Sequence, residues 1–267
     1  MSIRAEHLSF SYPRAEAPVI KDLTFEALEG CITVVVGANG VGKSTLIKSL
    51  LGINKSAGKV YFDGLERSRI SNEKLFSMVG YMTQESAILT RLNVFNVILL
   101  GRLGSLSLKV SDDDIDRVHE MLKLLDLQQF AERPFYALSG GQRRLVDVAQ
   151  TLVKDPDILI MDEPTANLDL ANELQVLEIV RAYTRQRNTA TLLTLHDLNM
   201  AARYADKVVL IKDGLVFREG GPCDVLTEEA IRQAYGVNVN VIIGENNRPV
   251  IQTMSSVKEG RYDFGRK

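Results

Sequence analysis

Gly37-Ala38-Asn39-Gly40-Val41-Gly42-Lys43-Ser44 is a GxxxxGKS run, and its last residue, followed by Thr45, opens the apolar stretch STLIKSLL. Glycines at this spacing let backbone N–H groups turn inward around phosphate oxygens, and a helix starting there adds the positive end of its dipole. Lys43 can reach β and γ phosphates, and Ser44 offers a hydroxyl to Mg²⁺. Farther along, Ile158-Leu159-Ile160-Met161-Asp162-Glu163 is an apolar run that delivers two adjacent carboxylates at its end. Such a pair can divide labour: Asp162 would hold Mg²⁺, directly or through water, and Glu163 would polarise water attacking a γ-phosphate. Alone, an apolar strand ending in Asp-Glu is as often a structural turn; the upstream phosphate loop shifts the balance toward chemistry. A third run, Leu138-Ser139-Gly140-Gly141-Gln142, precedes the helical RRLVDVAQTLV. Ser139 suits a helix cap and the glycines admit a phosphate to the backbone, so one chain holds two phosphate-binding helix starts.

The elements that must position these runs are legible as changes of period. IRAEHLSFSY and VIKDLTFEAL alternate apolar and polar residues, and CITVVV is apolar throughout, which predicts two half-exposed strands and a buried one. GKVYFDG predicts a further strand ending in a turn. Between about 86 and 155 the spacing becomes helical, with Ile115, Val118, Leu122 and Leu125 at intervals of three and four. Two apolar strands, DILIMDEP and ATLLTLHD, flank a helix over about 170–187, the alternation of a parallel sheet. KVVLIKDGLVFREG predicts a strand pair turning at Asp213-Gly214, and VNVNVII and RPVIQ predict terminal strands before a weakly ordered end.

Of the 267 residues, 45% are hydrophobic and 25% charged, and the formal net charge of −2 gives no global pull toward nucleic acid or anionic lipid. Cys31 and Cys223 form no ligand pattern and read as buried or bystander thiols. No stretch approaches the roughly 18 apolar residues of a membrane helix, and the N-terminus lacks the build of a signal peptide, so the expected location is cytoplasmic.

LSGGQ just upstream of an Asp-Glu strand and downstream of a phosphate loop resembles the ABC ATPase family. The resemblance covers residues 1 to about 235 and implies an α/β fold: an ABC-type P-loop NTPase with a parallel core sheet, an antiparallel β subdomain and a helical insertion at about 86–155. Residues 236–267 form C-terminal strands and a tail outside it. It further implies ATP and Mg²⁺ as ligands and an ATP sandwich with a second copy, in which Ser139, Gly140, Gly141 and Gln142 face the nucleotide of the opposite subunit. By the same likeness Tyr12 stacks on adenine, Gln84 touches Mg²⁺ or the attacking water, Asp169 anchors a loop that crosses to the other subunit, and His196 contacts the γ-phosphate. His7 and His119 have no such counterpart and are left as surface residues.

The stretches NVILLGR and HDLNMAARYADKVVLIKDGLVFREGGPCDVLTEEAIRQAYGV resemble ATPases of importers for iron-siderophore complexes, haem and cobalamin, although Gly101-Arg102 here leads into LGSLSLKV instead of a proline-containing turn. This implies membrane permease partners, an extracytoplasmic substrate-binding protein acting indirectly, no nucleic acid, and a peripheral place on the cytoplasmic face of the membrane. Leu89, Leu92, Val94 and Phe95, beside the Gln84 loop, are expected to line a groove for a permease helix, with Val97 and Leu100 in the insertion's own core. The alternative, a soluble ABC ATPase in translation or DNA repair, would require a second cassette or a long coiled coil, and the chain has neither a duplicate phosphate loop nor heptads. A regulatory module that does not turn over conflicts with intact Glu163 and His196, and a small-molecule kinase leaves LSGGQ unexplained.

Overall fold

The structure is a computed structural model that describes residues 1–84, 90–104 and 110–257. Alternation sets the first layer: in β1 (Ile3–Phe10) and β2 (Ile20–Ala27), Ile3, Ala5, Leu8, Ile20, Leu23 and Phe25 point inward and are buried. The apolar β3 (Ile32–Val36) is buried along its whole length and runs through the glycine-rich loop into α1 (Lys43–Leu50). β4 (Ala57–Phe62) and β5 (Leu65–Glu66) return beside β1, giving an antiparallel sheet of order β2-β1-β4-β5. α2 (Asn72–Met78) leads into β6 (Val79–Met82), and the helical segment follows as α3 (Val94–Leu99), α4 (Asp112–Leu124) and α5 (Gly140–Leu152).

The remaining elements complete a second sheet. They are β7 (Ile158–Asp162), α6 (Leu170–Arg187), β8 (Ala190–Thr194), α7 (Leu198–Tyr204), β9 (Lys207–Lys212) and β10 (Leu215–Gly220). Its order is β10-β9-β3-β8-β7-β6, parallel in every pair except β9–β10. Both faces are covered, as a parallel sheet requires. Ile32, Val34 and Val36 of β3 face the helices, while Val35 faces the antiparallel sheet and α1, so one strand feeds two cores. The chain ends in α8 (Pro222–Val225), α9 (Glu228–Tyr235) and a hairpin of β11 (Val237–Ile243) and β12 (Pro249–Ser256). No helix among the described residues is long and apolar enough to cross a membrane.

The helical spacing is realised with one exception. Val118, Leu122 and Leu125 are buried, but Ile115, one turn nearer the Ser111 cap, is 37% exposed because it lies beyond the reach of the packed helices. The Gly101-Arg102 pair has a structural reason. A Cβ at Gly101 would lie 2.2 Å from the Gln150 carbonyl oxygen, so only glycine lets this turn press on α5. Arg102 donates to Asp114 at 2.7 Å and holds that carboxylate down at about 2, tying the same turn to the start of α4.

Candidate active site

The phosphate loop leaves the carboxyl end of β3 and closes on α1 at Gly42, whose φ of 109° suits glycine and is strained for other residues. Lys43, only 5% exposed, donates from Nζ to the carbonyls of Gly37 at 2.8 Å and Ala38 at 3.4 Å. Burial lowers its affinity for the proton, and the nearby Glu163 and Asp162 charges work the other way. A cavity of about 420 Å³ opens over this loop, lined by Tyr12, Val19, Asn39, Gly40, Gly42, Lys43, Ser44, Thr45, Gln84, Glu163 and His196.

Glu163 stands at the end of β7, 7% exposed, and both carboxylate oxygens are engaged. Gln84 Nε2 donates to Oε2 at 2.8 Å, and His196 Nε2 meets Oε1. Ser44 Oγ, 3.5 Å from Gln84 Oε1, extends the row. Behind it Asp162, 1% exposed, accepts from Thr194 Oγ1 at 2.6 Å, and the same hydroxyl accepts from the Glu163 amide at 2.9 Å. Glu163 has a φ of 52°, a left-handed conformation that costs a non-glycine residue roughly 1 kcal/mol or more and persists only where neighbours over-determine it.

The neighbour that does so escaped sequence reading. Arg144, on α5, is 5% exposed, and its guanidinium donates to the carbonyls of Asp162, Glu163 and Pro164 on one side and of Thr83 and Gln84 on the other. Burial pushes its proton affinity down, against the favourable charges of Asp147, Asp162 and Glu163. The signal was present: Arg144 shares a helical face with buried Val148 and Leu152, at intervals of four, where an arginine needs a reason.

Tyr12 sits just past the end of β1, not within the strand pair. Its hydroxyl is 3.0 Å from Thr45 Oγ1 and its ring meets Phe10 edge-on at 4.9 Å. Gly37, Ala38 and Val41 are on the loop but outside the cavity wall. Ser139, Gly140, Gly141, Gln142 and Asp169 lie away from it altogether. Ser139 and Gln142 form a reciprocal capping box at the start of α5, and Asp169 caps α6 by accepting from the Asn172 amide at 2.9 Å. Gly141 packs beside Asn167 and Leu168, so the two runs are neighbours at the surface. His7 and His119 are exposed, His7 paired with Asp22 and His119 against Phe95.

The groove beside the Gln84 loop exists and Leu92 lines it as expected, while Val97 and Leu100 stand in its wall in place of Val94 and Phe95. A cavity of about 390 Å³ is lined by Tyr81, Leu92, Leu100, Phe135 and Gln150 among others. Val94 is fully buried with Val97 and Ile98 on the inner face of α3, and Phe95 turns toward His119 of α4. Leu100, expected inside, is 42% exposed because the turn after α3 carries it to the groove, and Leu89 lies outside the described residues.

A family model described as ABC transporter matches residues 20–166. The iron(3+)-hydroxamate import ATP-binding protein of Bacillus subtilis is 31% identical over 96% of this chain and 96% of its own. A chain of a metal-chelate type ABC transporter, solved in an inward-facing conformation, superposes with a TM-score of 0.80 at 26% identity, covering 96% of this chain and 98% of that one. A dimeric bacterial ABC transporter cassette superposes with a TM-score of 0.75 at 25% identity over 82% of this chain and 98% of its own. With a GxxxxGKS loop and an Asp-Glu strand end on one sheet, LSGGQ at the start of α5 and a match at this length, the chain belongs to the ATP-binding, ATP-hydrolysing proteins of the ABC transporter family.

Proposed function

We propose that this chain is the motor subunit of an importer for iron-siderophore or related metal-chelate cargo. It would work on the cytoplasmic face of the membrane as a pair of copies beneath a permease, with an extracytoplasmic binding protein delivering cargo from the far side. The observation that carries the catalytic part is the Glu163 carboxylate held between Gln84 and His196 at the mouth of the Lys43 loop. ATP phosphates rest on the backbone N–H groups of residues 37–45, Lys43 neutralises the β and γ oxygens, and Tyr12 offers a ring face to adenine. Glu163 takes the proton of the attacking water as the bond from the γ-phosphorus to the bridging oxygen breaks, while His196 and Gln84 orient that water. Admitting the water requires one of these two side chains to release its carboxylate oxygen.

Ser44, Gln84 and Asp162 suit Mg²⁺. They are hard oxygen donors, and no group of three or more His, Cys, Asp or Glu among the described residues could cage a metal alone, which matches an ion that arrives with phosphate and keeps water ligands. When bound, Mg²⁺ supplies charge neutralisation for the phosphates. Ser139 to Gln142 and the loop anchored by Asp169, both surface-facing and adjacent, would meet the nucleotide of the second copy. The similarity to an iron(3+)-hydroxamate importer and a metal-chelate transporter supports the cargo class.

Affinity isolation of the tagged chain from its native membranes, with and without ATP, tests the reading. A polytopic permease is expected to co-purify; recovery of only ribosomal or DNA-associated proteins would overturn it. The groove gives a finer test. Leu100→Asp places a charge on the rim of an apolar cavity meant for a permease helix, so transport and permease association fall at least tenfold while ATP binding stays within twofold. Phe95→Asp, facing α4, instead acts through stability. Normal transport by a folded Leu100→Asp variant would remove the groove from the coupling path.

A further inference from the structure

The C-terminal hairpin grips α7, whose cap residue, Asp197, directly follows His196. Asp197 caps α7 by accepting from the amides of Asn199 and Met200, at 2.7 and 3.0 Å, so His196 leads directly into this helix's first turn. Asn199 makes a two-point contact with one residue of β12. Its Nδ2 donates to the Ile251 carbonyl at 3.1 Å, and its Oδ1 accepts from the Ile251 amide at 2.8 Å. At the other end, Arg248 donates to the carbonyls of Ala202 and Ala205, both at the close of α7. Between these polar contacts Ile251, 7% exposed, enters the same core as Leu195, Ala201, Ala202 and Ala205. Helix α7 has only seven residues, too few to hold its own orientation in water, so its angle is set by what it packs against.

We propose that Asn199 and Arg248 are positioning residues for hydrolysis, through which the β11–β12 hairpin fixes α7 and with it the placement of His196 against Glu163. This assigns a role to residues 237–256, which the resemblance did not cover, and it rests on His196 acting at the γ-phosphate. The polar side-chain contacts at both ends of α7 are directed at main chain, which fixes helix position without specifying a particular partner side chain. Loss of either end leaves α7 attached to β8 and the core, so nucleotide binding on the other side of the cavity, at residues 37–45 and Tyr12, is untouched. The effect falls on the step that needs His196 aligned, because displacements of about 1 Å in a catalytic group are enough to slow chemistry strongly.

Steady-state ATP hydrolysis by the full-length chain tests this with five variants. Asn199→Ala and Arg248→Ala each lower kcat about fivefold or more with KM for ATP within twofold of the parent, whereas Arg248→Lys, which keeps a donor for the Ala205 carbonyl, recovers most of the rate. His196→Ala is run in parallel, alone and combined with Asn199→Ala. Because Asn199 acts through His196, the double variant is no slower than His196→Ala alone. If His196→Ala is slow but folded Asn199→Ala and Arg248→Ala turn over at the parental rate, the hairpin has no positioning role. Additive losses in the double variant also overturn it, since they mean Asn199 acts elsewhere. If His196→Ala itself turns over normally, the role of His196 fails first, and the inference with it.

Discussion

Glu163→Gln binds ATP as tightly as the parent chain and hydrolyses it at least a hundredfold more slowly. The substitution keeps the shape and the hydrogen-bonding reach of the side chain but removes its capacity to take a proton, and a positioned general base contributes about 10² to 10⁴ in rate. The structure gives reasons to expect an otherwise undisturbed site. The backbone of Glu163 is held by Thr194 and Arg144, not by its own carboxylate, so the strained turn survives the change. Gln84 can bond an amide oxygen as well as a carboxylate, and His196 Nε2 can meet the amide group in place of the carboxylate oxygen. With turnover blocked, ATP persists at the sites and its binding energy accumulates in the closed pair of copies, so size-exclusion chromatography with ATP shifts toward a dimer. A variant that hydrolyses ATP at more than a tenth of the parental rate would remove Glu163 from the role of base and leave a water-mediated path through His196 as the alternative.

The second large effect is at Arg144. Arg144→Ala removes the donors for five main-chain carbonyls of two loops and leaves several of them buried without partners, at a cost of about 3 kcal/mol or more. For a chain of this size such a loss lowers the unfolding midpoint by about 6 °C or more. Arg144→Lys separates stability from catalysis. Lysine keeps the charge but cannot fork, so it serves one loop and not both; the chain folds, kcat drops about tenfold, and KM for ATP moves less than twofold. The physical reason is that Arg144 joins the helix that begins with LSGGQ to the loop of Gln84 and to the left-handed turn of Glu163, so motion at one is transmitted to the others. Thermal unfolding and steady-state kinetics on both variants check this. Full activity in Arg144→Lys would mean that five acceptors are satisfied for stability alone.

Much of the architecture follows from local pattern because local pattern is what fixes it. Alternation in IRAEHLSF and IKDLTFEA marks strands with one wet face, and the apolar ITVVV marks a strand covered on both, so these strands are readable before any contact is known, while the division into two sheets came from the family resemblance. The nucleotide residues are equally legible where backbone chemistry demands a type: glycine where φ is positive, lysine and serine where the loop closes on α1. Where the reading slipped, a helical face was assigned without its partners. Val94 and Leu100 exchanged inside for outside, and Phe95 turned to α4, because α3 spans only Val94–Leu99 and its orientation comes from docking on α5 and not from its own stripe. Ile115 belongs to the same class, an apolar residue in phase with its helix but beyond the edge of the core that the phase implies.

The sequence by itself marked most of the strands, the helical stretches that became α1, α4, α5 and α6, and the identity of the phosphate loop, the paired carboxylates and the LSGGQ helix start, since each depends on residues adjacent in the chain. Tertiary structure alone decided what depends on residues far apart. It put Gln84 and His196 on the two oxygens of Glu163, buried Arg144 among carbonyls of separate loops, chose which apolar side chains face the groove, and laid β12 against α7. In each case a polar or strained group is stable only when a distant segment completes its hydrogen bonds, and spacing along the chain carries no record of that pairing.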